Sequence, residues 1–401
     1  MKKWLIRLLK IVLGVGSVLV LALAILGWLT RPSDPDAFYT QSEALPGLPG
    51  KLLKTEPFTR QVPDNARGWR ILYTTTRIDG KVAPASAIVL APKVSSGLPS
   101  DVVAWTHGTT GVAPGCAPSL LAEPFANVPA LREAIAEGWV IVATDYIGLG
   151  TPGPHPYLIG EGQARSALDS LRALREMKEV SVSDKTVVWG HSQGGHAAMW
   201  TGIVASAYAP EQAIYGVAAA APATDLMALF KRGEKDVVGR ILSSYIVTAY
   251  SGIYPDVSFD EYVRPGARFL AGDIAKRCMA GPKALFAVGE SLLLGGSIFA
   301  MDAVAGNLGK RMIENTPTPP MAAPLFIAQG ETDELVHTEI QNGFVEGLCK
   351  EGRDLAYTTY PGRDHLTLVA GDSPLVGDLV NWTKERFEGK PLAEGCVRGQ
   401  R

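Results

Sequence analysis

Thr186-Val-Val-Trp189-Gly190-His-Ser192-Gln-Gly194-Gly-His196-Ala-Ala-Met-Trp200 is the stretch whose reading decides the fold. Its middle, Gly190 to Gly194, fits G-x-S-x-G, a pattern too short to carry weight alone. The flanks carry it. Three β-branched residues and a tryptophan lead in and read as a strand. A run of small and apolar residues leads out and reads as a helix. Strand, turn and helix in that order make a nucleophile elbow. The turn forces the serine backbone into a strained conformation and exposes its hydroxyl at the C-terminal edge of a sheet. Glycines two residues to either side remove side chains that would collide in so tight a bend.

A serine hydroxyl is a poor nucleophile without a base, and the base needs an orienting acid. In this architecture the chain order is serine, acid, histidine. Of the six histidines, only His337 and His365 follow Ser192 with room for an acid between. His365 lies in Pro361-Gly-Arg-Asp-His365, a loop after an expected strand, and is the candidate base. His337 falls too close behind Asp333 and reads as the start of a helix. Asp333, in the loop after Leu325–Gln329, is the candidate acid. Glu331 and Glu334 are neighbours that could substitute, and Asp364 reads as a solvated loop charge. The oxyanion needs backbone donors. Gln193 supplies one. The loop His107-Gly-Thr109-Thr-Gly111, after the strand Val102–Thr106, supplies the second, with Thr109 ahead of Thr110 and Gly111.

Further out, β-type and helical patterns alternate. Strands are expected at Ile71–Thr76, Ser86–Leu90, Val140–Thr144, Tyr215–Ala220 and Leu355–Tyr360. Helices are expected near 131–137, 162–177 and 376–387. The alternation implies a mostly parallel, doubly wound sheet covered on both faces. Residues 223–320 show helical periods and no clear strand, and read as an inserted cap. The chain thus divides into a core first half at 69–222, that cap, and a core second half with tail at 321–401. Residues 31–68 are Pro-rich and read as a linker and entry segment. Gly148-x-Gly150-x-x-Gly153 matches a dinucleotide fingerprint, but Pro152, Pro154 and Pro156 forbid the helix that fingerprint must open. No cofactor and no metal is expected.

The first thirty residues read as an address. Ile11 to Leu29 are nineteen uncharged, mostly apolar positions behind Lys2, Lys3, Arg7 and Lys10. As a helix they would span about 29 Å, close to a bilayer's hydrocarbon core. The charge asymmetry places the body outside the cytoplasm. Ala22-Leu23-Ala24 offers a signal-peptide cleavage site, but the apolar run continues past it, which favours an uncleaved anchor. Beyond residue 30 the chain holds 34 basic and 40 acidic residues, a net charge of −6. A mildly acidic body with no basic stripe argues against nucleic acid as partner. Cys116, Cys278, Cys349 and Cys396 form no C-x-x-C pair. An even number in an exported chain suggests two disulfides, with three pairings open.

The sequence resembles the secretory lipase family of α/β-hydrolases. The likeness rests on Thr106-His-Gly-Thr-Thr-Gly-Val-Ala-Pro-Gly-Cys-Ala-Pro-Ser119, on Asp145-Tyr-Ile-Gly-Leu-Gly150, on Gly190-His-Ser-Gln-Gly194 and on the surroundings of Asp333 and His365. It spans roughly residues 69 to 390. It implies an α/β-hydrolase fold and hydrolysis of carboxylic esters, lipids included, by Ser192, His365 and Asp333 under a helical cap. It also implies disulfides Cys116–Cys278 and Cys349–Cys396. The anchor-like N-terminus departs from the family pattern. The apolar stretch Phe286–Phe299 of the cap is a candidate lining for an acyl pocket and equally a candidate for plain core. Acyl transfer by the same residues, and a non-catalytic binding role on the same fold, are the competing readings.

Overall fold

A computed structural model describes residues 30–41, 44–94, 97–281 and 284–401, with positions 4, 7, 10, 14 and 27. The anchor expected at Ile11–Leu29 therefore lies outside the described residues except for two positions. Among the described residues, no helix is long and apolar enough to cross a membrane.

One 10-stranded sheet organises the chain. Its strands are β1 (Leu52–Pro57), β2 (Ala66–Thr76), β3 (Val82–Pro92), β4 (Ser100–Thr106), β5 (Val140–Thr144), β6 (Val182–His191), β7 (Ala213–Ala220), β8 (Leu325–Gly330), β9 (Leu355–Tyr360) and β10 (Cys396–Gln400). They lie in the order β1-β2-β3-β5-β4-β6-β7-β8-β9-β10. The first three and the β3–β5 contact are antiparallel, and every pairing from β5 to β10 is parallel. The β2–β3 hairpin turns at Asp79-Gly80, as its turn residues suggest, with Gly80 at φ 80°.

The inner parallel strands β4, β5, β7 and β8 are near-continuous apolar runs because both faces are covered. Helices α1 (Leu131–Ala136), α2 (Gly160–Glu176) and α3 (Gln193–Tyr208) follow in chain order. Alternate residues of one strand serve opposite faces. Val102 and Ala104 of β4 pack with Leu168, Leu171, Ala198 and Met199 of α2 and α3. Val103 and Trp105 pack on the other face with Ile135 of α1.

Between β7 and β8 come α4 (Leu226–Gly233), α5 (Val237–Ile253), α6 (Phe259–Tyr262), α7 (Arg268–Ile274), α8 (Ala284–Leu294) and α9 (Asn307–Glu314). These form a helical layer with its own core, including Ile241, Tyr245, Tyr250, Ile274, Ala287 and Met312. After β8, α10 (Thr338–Lys350) starts behind His337, its N-cap, and α11 (Leu375–Phe387) covers the second face.

Two strands correct the reading of the sequence. β1 and the buried pair Phe38 and Tyr39 lie within 31–68, so that stretch is no free linker. β10 closes the far edge of the sheet on β9. Neither shows the alternation of a half-buried strand, because each sits at an edge and gains its place from backbone pairing.

Both disulfides implied by the family resemblance are present. Cys116–Cys278 joins the loop after β4 to the segment after α7, and Cys349–Cys396 joins α10 to β10. The loops they close span 162 and 47 residues. In the chain-entropy picture this is worth about 5 and about 4 kcal/mol. Replacing Cys116 and Cys278 together by Ser should therefore lower the melting temperature of the whole body. The Cys349/Cys396 double variant should chiefly free the C-terminal strand to limited proteolysis. Equal melting temperatures for the Cys116/Cys278 variant and the parent would refute the first expectation.

Candidate active site

Ser192 sits between the end of β6 and the start of α3 at φ 59°, ψ −123°. A non-glycine residue held there stores about 1–3 kcal/mol. Three backbone bonds hold it. Its N–H donates to Ala220 O at 2.9 Å, and its carbonyl accepts from His196 N and Ala223 N. The flanking glycines are needed for space, since neither has positive φ. A Cβ on Gly190 would lie 2.0 Å from Gly194 O, and one on Gly194 would lie 1.9 Å from Thr106 O. Thr106 Oγ1 is 2.9 Å from Trp189 O and 2.8 Å from Gly194 O, and donates between them.

His365 Nδ1 donates to Asp333 Oδ2 at 2.7 Å. That commitment leaves Nε2 as the ring nitrogen free for chemistry. Three further donors fix the Asp333 carboxylate. Leu335 N and Val336 N reach Oδ1, each at 2.8 Å, and Gln329 Nε2 reaches Oδ2 at 3.2 Å. The other acids considered lie elsewhere. Asp364 accepts from Leu366 N and Thr367 N in its own turn, and Glu331 accepts from Thr359 and Gln400 at the sheet edge. Glu334 lines the cavity and leaves Asp333 as the carboxylate bonded to His365.

Ser192, Gln193, Thr109 and His365 line one cavity of about 1590 Å³, with Asp333 buried behind His365. Gln193 opens α3, where the first N–H groups have no partner within the helix. Thr109 Oγ1 is held by Tyr157 OH at 2.9 Å. The Gln193 side-chain Nε2 donates to His155 Nε2 at 3.2 Å, while His155 Nδ1 donates to Ile147 O. Burial pushes His155 down to about 3 and His107 to about 4, so both work as neutral rings.

The far wall of the cavity decides between the two readings of Phe286–Phe299 in favour of core. Leu226, Leu229 and Phe230 of α4 and Leu242 and Ile246 of α5 line it, and no residue of α8 does. The reason is orientation. α8 turns Ala287, Ser291 and Leu294 into the cap core and leaves Leu285, Leu292 and Leu293 outside.

Several supports went unseen in the sequence. His191 Nε2 donates to His365 O at 2.9 Å, and the two rings lie 4.6 Å apart. Burial, and then the neighbouring His365, push His191 well below its usual range, which keeps it a neutral donor. Asn315, just past α9, accepts from His196 Nε2 at 2.7 Å and from Trp200 Nε1 at 3.0 Å on its carbonyl. Only the position of His191 inside the elbow could have hinted at its role. The segments that carry the resemblance also meet. Asp145 accepts from Ser119 Oγ at 2.5 Å and from Ser86 Oγ at 2.6 Å, and Tyr146 OH donates to His107 O.

A sequence profile of the secretory lipase family matches residues 126–395. The chain belongs to the secretory lipase family. It is a carboxylic ester hydrolase. Lipase 6 of Candida albicans is 25% identical over 92% of this chain and 84% of its own length. A secreted triacylglycerol lipase of Malassezia globosa is 25% identical over 97% and 89%. The fold is that of Candida antarctica lipase A in its closed state, with a TM-score of 0.72 over 91% of this chain and 90% of that one, at 20% identity.

In this ester hydrolase, His196 offers a clean pH test. Burial pushes it from 6.5 down to about 4, so the folded protein holds it neutral where an unfolded chain would protonate it. Its contribution is complete above about pH 6.5 and is lost as pH falls towards 4, at most about 1.4 kcal/mol per pH unit. His196→Gln should therefore be less stable than the parent at pH 8. That deficit should shrink between pH 6.5 and 4.5 in urea unfolding, and a constant deficit would contradict the assignment.

Proposed function

We propose that Ser192, His365 and Asp333 form the catalytic triad. Ser192 Oγ attacks the ester carbonyl while His365 Nε2 takes its proton. The backbone N–H groups of Gln193 and Thr109 receive the developing oxyanion, where such donors act most strongly. His365 then gives the proton to the departing alcohol, leaving an acyl-enzyme. Water activated by the same histidine releases the acid and restores the serine. Asp333 holds the imidazole in the tautomer this requires. The observation that carries the reading is the 2.7 Å bond from His365 to Asp333, with His365 sharing a cavity wall with the strained Ser192.

The substrate is a lipid ester. The cavity exceeds the usual size for small ligands, and its far wall of leucine, phenylalanine and isoleucine suits an acyl chain. The body works outside the cytoplasm, tethered by residues 11–29, whose uncharged run behind four positive charges supports an anchor.

Turnover of a chromogenic ester series tests the triad. Ser192→Ala should lower kcat by at least about 10⁴-fold, and Asp333→Asn by about 10³–10⁴-fold, with both variants folded. A Ser192→Ala protein with parental turnover would remove the serine from the mechanism.

A further inference from the structure

A strap of chain, residues 31–39, crosses the junction of cap and core beside the active site. Pro32 and Ser33 of this strap line the cavity that holds Ser192. Both ends are fastened. Towards the cap, Arg31 Nη2 pairs with Asp273 Oδ1 of α7 at 3.2 Å. Towards the core, Asp36 accepts from Arg70 Nη1 at 2.7 Å on one oxygen and from Phe38 N at 2.9 Å on the other. The Arg70 guanidinium also lies 4.2 Å from the centre of the Phe38 ring, and Tyr39 OH meets Ser119 Oγ at 2.7 Å. None of these bonds involves Ser192, His365 or Asp333. They serve to hold the strap in place.

Beneath the strap lies Gly115, next to Cys116 of the disulfide that crosses the same junction. Gly115 has no positive φ, so its backbone conformation would accept a side chain. Space forbids one. A Cβ there would run into Ser33 O and lie 2.6 Å from Pro32 Cβ. The missing side chain lets the strap sit low against the loop after β4. Pro118, Leu120 and Leu121 of that loop line the cavity with Pro32 and Ser33. Arg60 braces them, its Nη1 donating to Ser119 O at 3.1 Å and to Leu121 O at 2.9 Å. The result is a second cavity wall, distinct from the one that α4 and α5 supply.

We infer that Pro32 and Ser33, seated on Gly115, set the bulk of the alcohol portion that the site accepts. The inference rests on the hydrolase reading above. An ester extends in two directions from the carbonyl that Ser192 attacks. With the acyl chain on the leucines and phenylalanine of α4 and α5, the alcohol portion is what remains to meet the wall of Pro32, Ser33 and Leu121. Proline has a fixed φ, and here the chain on both sides of it is tied down, so the wall is stiff. A stiff wall discriminates by exclusion, because a group too bulky for it keeps the carbonyl from the reactive pose. The preferred substrates are thus esters of slender, unbranched alcohols over esters of ring alcohols.

The test uses the full-length chain and two hexanoyl esters, one of ethanol and one of cyclohexanol. The quantity read is the ratio of kcat/KM for the ring ester to that for the ethyl ester. Pro32→Gly removes the ring from the wall and should raise the ratio about tenfold. Gly115→Ala lifts the strap from its seat and should raise it severalfold. Ser33→Phe fills space beside the wall and should lower it about tenfold. Shifts of opposite sign from adjacent positions are not what a general loss of stability produces. A parental ratio in folded Pro32→Gly and Ser33→Phe overturns the inference. A changed preference between butyryl and decanoyl ethyl esters, with the alcohol ratio constant, also overturns it. Should Gly115→Ala fail to fold, the two strap variants decide alone. A parent that turns over neither ester sinks the hydrolase reading and the inference with it, whereas an active parent with unshifted variants sinks the inference alone.

Discussion

The close approach of α3 to the end of β4 is the constraint on which the site depends. The helix begins so near the strand that residue 194 has no room for a side chain against Thr106 O. Thr106 then fastens both sides of the turn through its hydroxyl. Because helix and strand cannot separate without losing this packing, the backbone of Ser192 has nowhere to relax. Its positive φ is maintained by its surroundings, as strain at a functional position must be. The same approach brings the loop after β4 beside the helix N-terminus, so Thr109 and Gln193 reach one cavity as a consequence of the packing.

Behind that cavity the protein buries groups that would cost stability if left unpaired. Asp145 is held by two serine hydroxyls and the Ser119 N–H, and Ser119 in turn meets Tyr39 OH at 2.7 Å. Burial raises the Asp145 carboxyl from its ordinary value, against the hydroxyls that lower it. His107, His155, His191 and His196 resolve the same problem by staying neutral. A neutral ring can donate from one nitrogen, and His191 uses it on the backbone of His365. His365 is therefore placed from two sides, its ring by Asp333 and its main chain by His191. The cap joins this frame at Cys278 and at Asn315, whose carbonyl receives donors from α3 and whose Oδ1 accepts from Gly160 N at 2.9 Å.

The parts of this arrangement legible in the sequence are those where local pattern and global fold agree. β4, β5, β7, β8 and the second half of β6 announce themselves because a strand buried on both faces is apolar. The elbow is legible because its glycines are required by space alone. His365 and Asp333 follow from chain order and from their loops beyond strands. β1, with Lys54 and Glu56 among leucines, and β10, Cys-Val-Arg-Gly-Gln, have no such signature. His191 was hidden for a different reason. Its function is a bond to a main-chain carbonyl 174 residues away, and no spacing rule encodes that.

α8 shows where an apolar pattern alone misleads. From composition, Phe286–Phe299 is as good a lining for an acyl chain as any stretch of the cap. Which face of a helix meets a cavity depends on its neighbours, and here Arg277 decides it. The guanidinium draws Glu290 towards α7 and lies 5.5 Å from the Phe286 ring. With Glu290 turned to this cluster and Ala287 and Leu294 in the cap core, Leu285 and Leu292 are left on the outside. α4 and α5 are then the helices that face the serine. The cap consequently has two apolar surfaces. One lines the cavity that holds Ser192, and the other, with Leu285 and Leu292, faces outward. A buried arginine–carboxylate cluster is weak ground for stability. Its position at the junction of both surfaces makes it a device for setting orientation.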